Sequence, residues 1–200
     1  GQTWDMHDTA TPYVVLLRLQ PDDGPAALVF TTTGCLGQLG MNEAGVCVGI
    51  NNLVATDGCR GVMWTSVVRD ALTCDSAAAA RDAILDADLA GAHSFLTFDA
   101  SGDGHMIEAF PTARPTEALA DNAQVHTNHA IWDEALARQA PKQDGLMASS
   151  TRRRDRAIEL LDRDGIAVED LMAVTRDDEA ICQVSVEPTH IESSGAAIMR

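Results

Sequence analysis

GCLGQLGMNEAGVCVGINN, residues 34–52, is a poor helix and a good pair of strands. Glycines stand at 34, 37, 40, 45 and 49, and each costs a helix about 1 kcal/mol relative to Ala. The apolar residues on either side of Asn42-Glu43-Ala44-Gly45 space as two short strands joined by a turn at those four residues. A phosphate-binding loop would need Gly-Lys-Ser/Thr running straight into a helix, and neither feature follows.

The same grammar extends outward. Residues 13–19 (YVVLLRL) predict a strand, QPDDGP at 20–25 a turn, and AALVF at 26–30 the returning strand. Residues 62–72 place apolar side chains on a helical period, and Ser76 is an N-cap for an Ala-rich helix ending near Asp86. Strands resume at 94–98 (SFLTF) and 105–110 (HMIEAF). Their link, DASGDG at 99–104, imitates the start of a calcium loop. Phe110 stands where that loop needs its bidentate Glu, so a hairpin turn is expected. Residues 124–128 predict a short strand, 150–161 and 168–174 amphipathic helices, and 196–199 the start of a last strand. Strands, helices, strands, helices, strand is the order of an α+β layered fold, here one domain over residues 1–200.

Composition narrows the function. At 200 residues and 46% hydrophobic the chain can bury a substantial core. No apolar run approaches the roughly 20 residues of a membrane span. A net charge of −16 repels phosphate backbones, which argues against nucleic acid as a partner. The one basic cluster, Arg152-Arg153-Arg154 with Arg156, reads as a solvated face or a set of local ion pairs. The five cysteines, at 35, 47, 59, 74 and 182, form no CxxC and have no His at zinc spacing. A reduced, cytoplasmic protein without a structural metal or bound cofactor is expected.

Four polar places interrupt the apolar pattern: Asp5, the Asn51-Asn52 pair, Asn128 within VHTNH, and Gln183 after Ile181-Cys182. In a strand, His126 and His129 point to opposite faces and cannot share an ion, which makes them packing or strand-end residues. A side-chain amide such as Asn51 or Asn128 can donate to a developing oxyanion. Asn at a strand end also commonly bonds its own backbone, and Asp5 can equally be a cap or turn residue. No Gly-x-Ser-x-Gly elbow and no Cys/His pair is legible.

GQTWDM at 1–6, GCLGQLGMNEAGVCVGINNL at 34–53, VHTNH at 125–129, Ser-Ser-x-Arg at 149–152 and AICQ at 180–183 together, in this order, resemble the autoproteolytic acyltransferase/amidase family of acyl-coenzyme A:6-aminopenicillanate acyltransferases. The resemblance implies an N-terminal nucleophile hydrolase fold, two antiparallel sheets between helix layers (αββα). It implies linear-amide hydrolysis or acyl transfer through a Cys that self-cleavage makes N-terminal, with its own α-amine as base. Acyl-coenzyme A is then a candidate co-substrate and a small-molecule acyl amide or acyl donor the partner; no oligomeric state is implied. Carried over by position, Asp5 holds the nucleophile's amine and thiol, and Asn128 and Asn51 supply the oxyanion hole. Gln2 sides with the acyltransferases where bile salt hydrolases carry Arg. Gln183 replaces a supporting Arg, keeping donors but losing a fixed charge. The nucleophile strand is expected upstream of Gly1 and a further strand beyond Met199, so that these residues alone would be inactive. The alternative is a non-catalytic relative that binds an acylated small molecule.

Overall fold

The computed structural model describes residues 1–120 and 123–200. Seven strands form one antiparallel sheet in chain order: β2 (Val14–Leu19), β3 (Ala27–Thr32), β4 (Leu39–Asn42), β5 (Cys47–Asn52), β6 (His93–Phe98), β7 (Gly104–Ala109) and β8 (Thr116–Ala118). A separate two-stranded ribbon pairs β1 (Gln2–His7) with β9 (Ile191–Ala197). The helices are α1 (Trp64–Ala71), α2 (Ala77–Asp86), the short α3 (Asp133–Leu136), α4 (Asp144–Leu161) and α5 (Val168–Thr175). None of the helices in the described residues is long and apolar enough to cross a membrane.

The glycine-rich stretch forms the β4–β5 hairpin. Gly45 takes a left-handed φ of 89°, where a side chain would be strained. Gly40 lies so close to β3 that a Cβ there would overlap the Leu28 carbonyl oxygen. Asn42 closes the turn by accepting the Val46 N–H at Oδ1, 2.9 Å, and donates to the Leu72 and Cys74 carbonyls at 3.0 and 2.7 Å. One buried amide thus ties the hairpin to carbonyls at the C-terminal end of α1, which the helix leaves unpaired.

Strand alternation sorts the sheet into two faces. Val48, Ile50, Phe95 and Ile107 pack against Val67, Val68, Ala71, Ala80 and Ile84 of α1 and α2 to form the main core. Gly49, Asn51, Ser94, Leu96, Met106 and Glu108 project to the opposite face, under the ribbon, α4 and α5. Ser76 caps α2, accepting the Ala79 N–H at 3.3 Å. In the 99–104 hairpin the Asp99 carboxylate accepts from Ala77 N–H and Ser101 N–H, while Phe110 is fully buried.

Several expected elements differ. Residues 124–128 are irregular rather than a strand, because their polar groups bond to partners distant in sequence, described below. The last strand spans Ile191–Ala197 rather than starting at 196; its serines and Gly195 conceal it, and Gly195 leaves room for the Phe30 ring. Helix α4 begins six residues before 150, at Asp144. The 3-10 turn Asp8–Tyr13, β8 and α3 carry weak periodicity and go unread in the sequence.

Candidate active site

Gly49, Asn51, Ser94, Leu96 and Met106, from two cross-strand rows, floor a cavity of about 1100 Å³. One row is Gly49–Leu96–Met106 and the next is Asn51–Ser94–Glu108. The opposite walls come from residues 1–3, from Arg153, Ala157, Ile158 and Leu161 on α4, and from Leu171 and Val174 on α5. That volume is at the upper end for a small-molecule site, and the lining mixes polar groups such as Gln124, His126 and Arg153 with apolar ones such as Leu96, Ile158 and Leu171.

Gln2 and Asn51 line this cavity. The ladder between β4 and β5 covers only Gly40–Val48 and Met41–Cys47, and the Gln2 amide takes over where it stops. It donates Nε2–H to the Ile50 carbonyl at 2.5 Å and accepts the Ile50 N–H at 2.9 Å. Gly49 makes space for this, since a Cβ there would meet Gln2 Oε1 at 2.8 Å. Gly49→Ala and Gln2→Ala each lower stability by about 1–3 kcal/mol, measured as a denaturant midpoint. Both break the same contact, so the double variant loses less than the sum.

Asp5 sits at a bulge in β1, opposite Ser193. Ser193 Oγ–H donates to Asp5 Oδ1 at 2.6 Å and Oγ accepts the Gln183 N–H at 2.9 Å. Gln183 therefore supports Asp5 through its backbone; its side-chain amide turns away and donates to the Ala180 carbonyl at 2.6 Å.

Asn128 donates Nδ2–H to the carbonyl of Asn52 at 3.2 Å and accepts from Arg153 at Oδ1, 2.9 Å. Its backbone is fixed independently. Ser150, fully buried, accepts the Asn128 N–H at 2.9 Å, bonds Thr127 and lies 2.8 Å from His129 Nδ1, and Lys142 donates to the Asn128 carbonyl. Burial pulls the Arg153 guanidinium below its usual range, and the charge of Asp5 acts in the opposite direction. Lys142 is likewise lowered, by burial and then by Arg153. Arg153 thus bonds the Asn128 amide and feels the Asp5 charge, which departs from the reading of the basic cluster as a solvated face or a set of local ion pairs. Arg156 does fit that reading, paired with Asp177, Glu159 and Glu179.

The two histidines part company through their partners. His126 Nε2 lies 2.7 Å from Glu108 Oε1, while His129 holds Ser150. Among the described residues no cysteine lines the cavity. Cys47 is buried in β5, and burial pushes its thiol up to about 11.

The profile of the acyl-coenzyme A:6-aminopenicillanic acid acyl-transferase family matches residues 1–199. The chain belongs to that family. A member from Emericella nidulans, the acyl-coenzyme A:6-aminopenicillanic-acid-acyltransferase 40 kDa form, is 26% identical over 142 residues. The match covers 70% of this chain and 40% of that protein, so the chain spans less than half the length of this curated relative. Among solved structures, penicillin V acylase from Agrobacterium tumefaciens aligns with TM-score 0.54 and 13% identity, over 94% of this chain and 66% of that one. A mutant of conjugated bile acid hydrolase from Clostridium perfringens aligns at 0.58 and 14%, over 96% and 78%. The Caenorhabditis elegans ortholog of N-acylethanolamine-hydrolyzing acid amidase aligns at 0.56 and 15%, over 98% and 86%. These likenesses establish the N-terminal nucleophile hydrolase fold. Within this family member, Arg153, Ser150, Ser193 and Glu108 are the site neighbours that the sequence reading left out.

Proposed function

We propose that this chain forms the substrate cavity and oxyanion-stabilising machinery of a linear-amide C–N hydrolase or acyltransferase working through a cysteine acyl-enzyme. The observation that carries the proposal is Asn128. Its Oδ1 is held by Arg153 and one N–H by the Asn52 carbonyl, which fixes the amide orientation and leaves its second N–H as a donor. The thiol is assigned to a residue preceding Gly1, because no cysteine lines the cavity among the described residues and Cys47 is buried with a raised pKa.

In this scheme the nucleophile's α-amine takes the thiol proton as sulfur attacks the amide carbonyl; an α-amine titrates at about 7.7–8.0 and suits proton transfer near neutrality. The tetrahedral oxyanion is met by Asn51 and Asn128. The C–N bond breaks as the proton passes to the departing amine, leaving a thioester. Water or an amine then attacks the thioester, returning the thiol and releasing an acid or a new amide. Acyl-coenzyme A enters the same cycle as an acyl donor. Asp5, braced by Ser193, orients the nucleophile's amine.

The test uses the full-length protein. N-terminal sequencing gives Cys at the start of the mature chain upstream of Gly1, and intact mass after an acid quench shows one added acyl group from phenylacetyl-coenzyme A. An uncut chain without an adduct sinks the proposal in favour of a binding-only relative.

A further inference from the structure

Two buried acceptor atoms in residues of the cavity wall have no partner among the described residues: Nδ1 of His126 and Oε1 of Gln124. Neither enters the acyl-transfer scheme. The His126 side chain is 4% exposed and that of Glu108 is 0%. Glu108 accepts the Ile131 N–H at Oε1, 2.7 Å, and the Trp132 N–H at Oε2, 3.1 Å. A carboxylate already accepting at both oxygens assigns the His126 contact as Nε2–H donating, and in the neutral ring Nδ1 then keeps its lone pair. An acceptor buried without a donor has given up its water and received nothing in return. Two of them in one stretch of wall point to a ligand that brings donors.

We propose that His126, braced by Glu108 and assisted by Gln124, is a recognition subsite for an N–H or O–H donor, such as an ammonium, amine or hydroxyl, carried by the substrate. Its location follows from the sheet. Glu108 is two strands from Asn51 in one cross-strand row, roughly 10 Å at the usual strand spacing. Ser94 lies between them in that row, and Leu96 and Met106 flank it in the row alongside. A substrate whose carbonyl reacts beside Asn51 therefore passes Ser94, with Leu96 and Met106 along one side, and ends at His126. The position of that carbonyl rests on the acyl-transfer reading; the binding of a donor at His126 does not.

The donor can sit at the end of the acyl tail or on the amine half, and binding separates the two. The full-length protein is labelled with nitrogen-15 in its histidine rings, and the His126 Nδ1 resonance is identified by its loss in His126→Gln. It is titrated with ω-aminooctanamide for the acyl source and with N-octanoylputrescine for the amine source. Nonanamide and N-octanoylpentylamine, each carrying a methyl in place of the ammonium, are the matched controls. One donor-tipped probe should bind about tenfold tighter than its control and shift Nδ1 as the lone pair accepts. In His126→Phe the pair should converge to within about twofold. Equal binding within both wild-type pairs, or an Nδ1 signal that neither donor moves, overturns the subsite. A shifted Nδ1 in a protein that forms no acyl-enzyme keeps the subsite and removes the catalytic reading instead.

Discussion

Asn128→Ala in the full-length protein lowers kcat for amide turnover by about 10²- to 10³-fold, the cost of one side-chain oxyanion donor. The lost interaction is made only with the developing oxyanion, so kcat and kcat/KM fall together and KM barely moves. The fold should survive, because the loop does not hang on this side chain: Ser150 holds the Asn128 N–H and Lys142 its carbonyl. The two bonds lost, to Asn52 and Arg153, are half-exposed and are together worth about 1–2 kcal/mol of stability. Asn128→Asp is the sharper control. It keeps the size and the Arg153 bond but replaces the donor with a carboxylate oxygen, so its turnover should be no better than that of the Ala variant. Unchanged turnover in Asn128→Ala, with a thioester still trapped, would take Asn128 out of the mechanism.

How far the sequence could be read depends on whether a residue's partner is near it in the chain. The β4–β5 hairpin is legible because its signals are local: glycines that spoil a helix, alternating apolar residues, and a turn that Asn42 closes on Val46. Residues 124–128 defeat the same reasoning. Val125 and Thr127 suggest a strand, yet His126, Thr127 and Asn128 take their bonds from Glu108, Ser150 and Asn52, and no local pattern announces those distances. The basic cluster on α4 divides the same way. Arg156 pairs on the surface, as a charged helix face should. Arg153 turns inward, and the sequence did hold a signal for it: Ala157 and Leu161, four and eight residues on, lie on the same helix stripe and line the cavity with it. Position-by-position resemblance singled out Gln2 and Asn51, which line the cavity, without placing the cavity itself. It could not show that Gln183 supports Asp5 by its backbone, since that depends on the Asp5–Ser193 register across a bulge.

Glu108→Ala should cost about 3–5 kcal/mol, the penalty for removing one member of a buried charge-assisted network. Glu108 is fully buried at the end of the Asn51–Ser94–Glu108 row and takes three bonds, from Ile131 N–H, Trp132 N–H and His126. Alanine leaves all three donors facing an empty volume. With a domain stability of about 5–15 kcal/mol, that is from about a fifth to all of what holds the fold. The expected fall in Tm is on the order of 10 °C for a chain of this size. Glu108→Gln keeps the shape and one acceptor oxygen but turns an amide N–H toward a donor, so it should lose about half as much. Because residues 126–132 contain Asn128, the Ala variant should also lose turnover, whereas Asn128→Ala loses turnover with little loss of stability. The two variants thus separate a residue that acts on the substrate from one that holds the loop presenting it. A Tm within about 2 °C of wild type for Glu108→Ala, equivalent to under about 1 kcal/mol, would mean that Ser150 and Lys142 alone hold this loop, and that Glu108 is retained for the His126 subsite it braces.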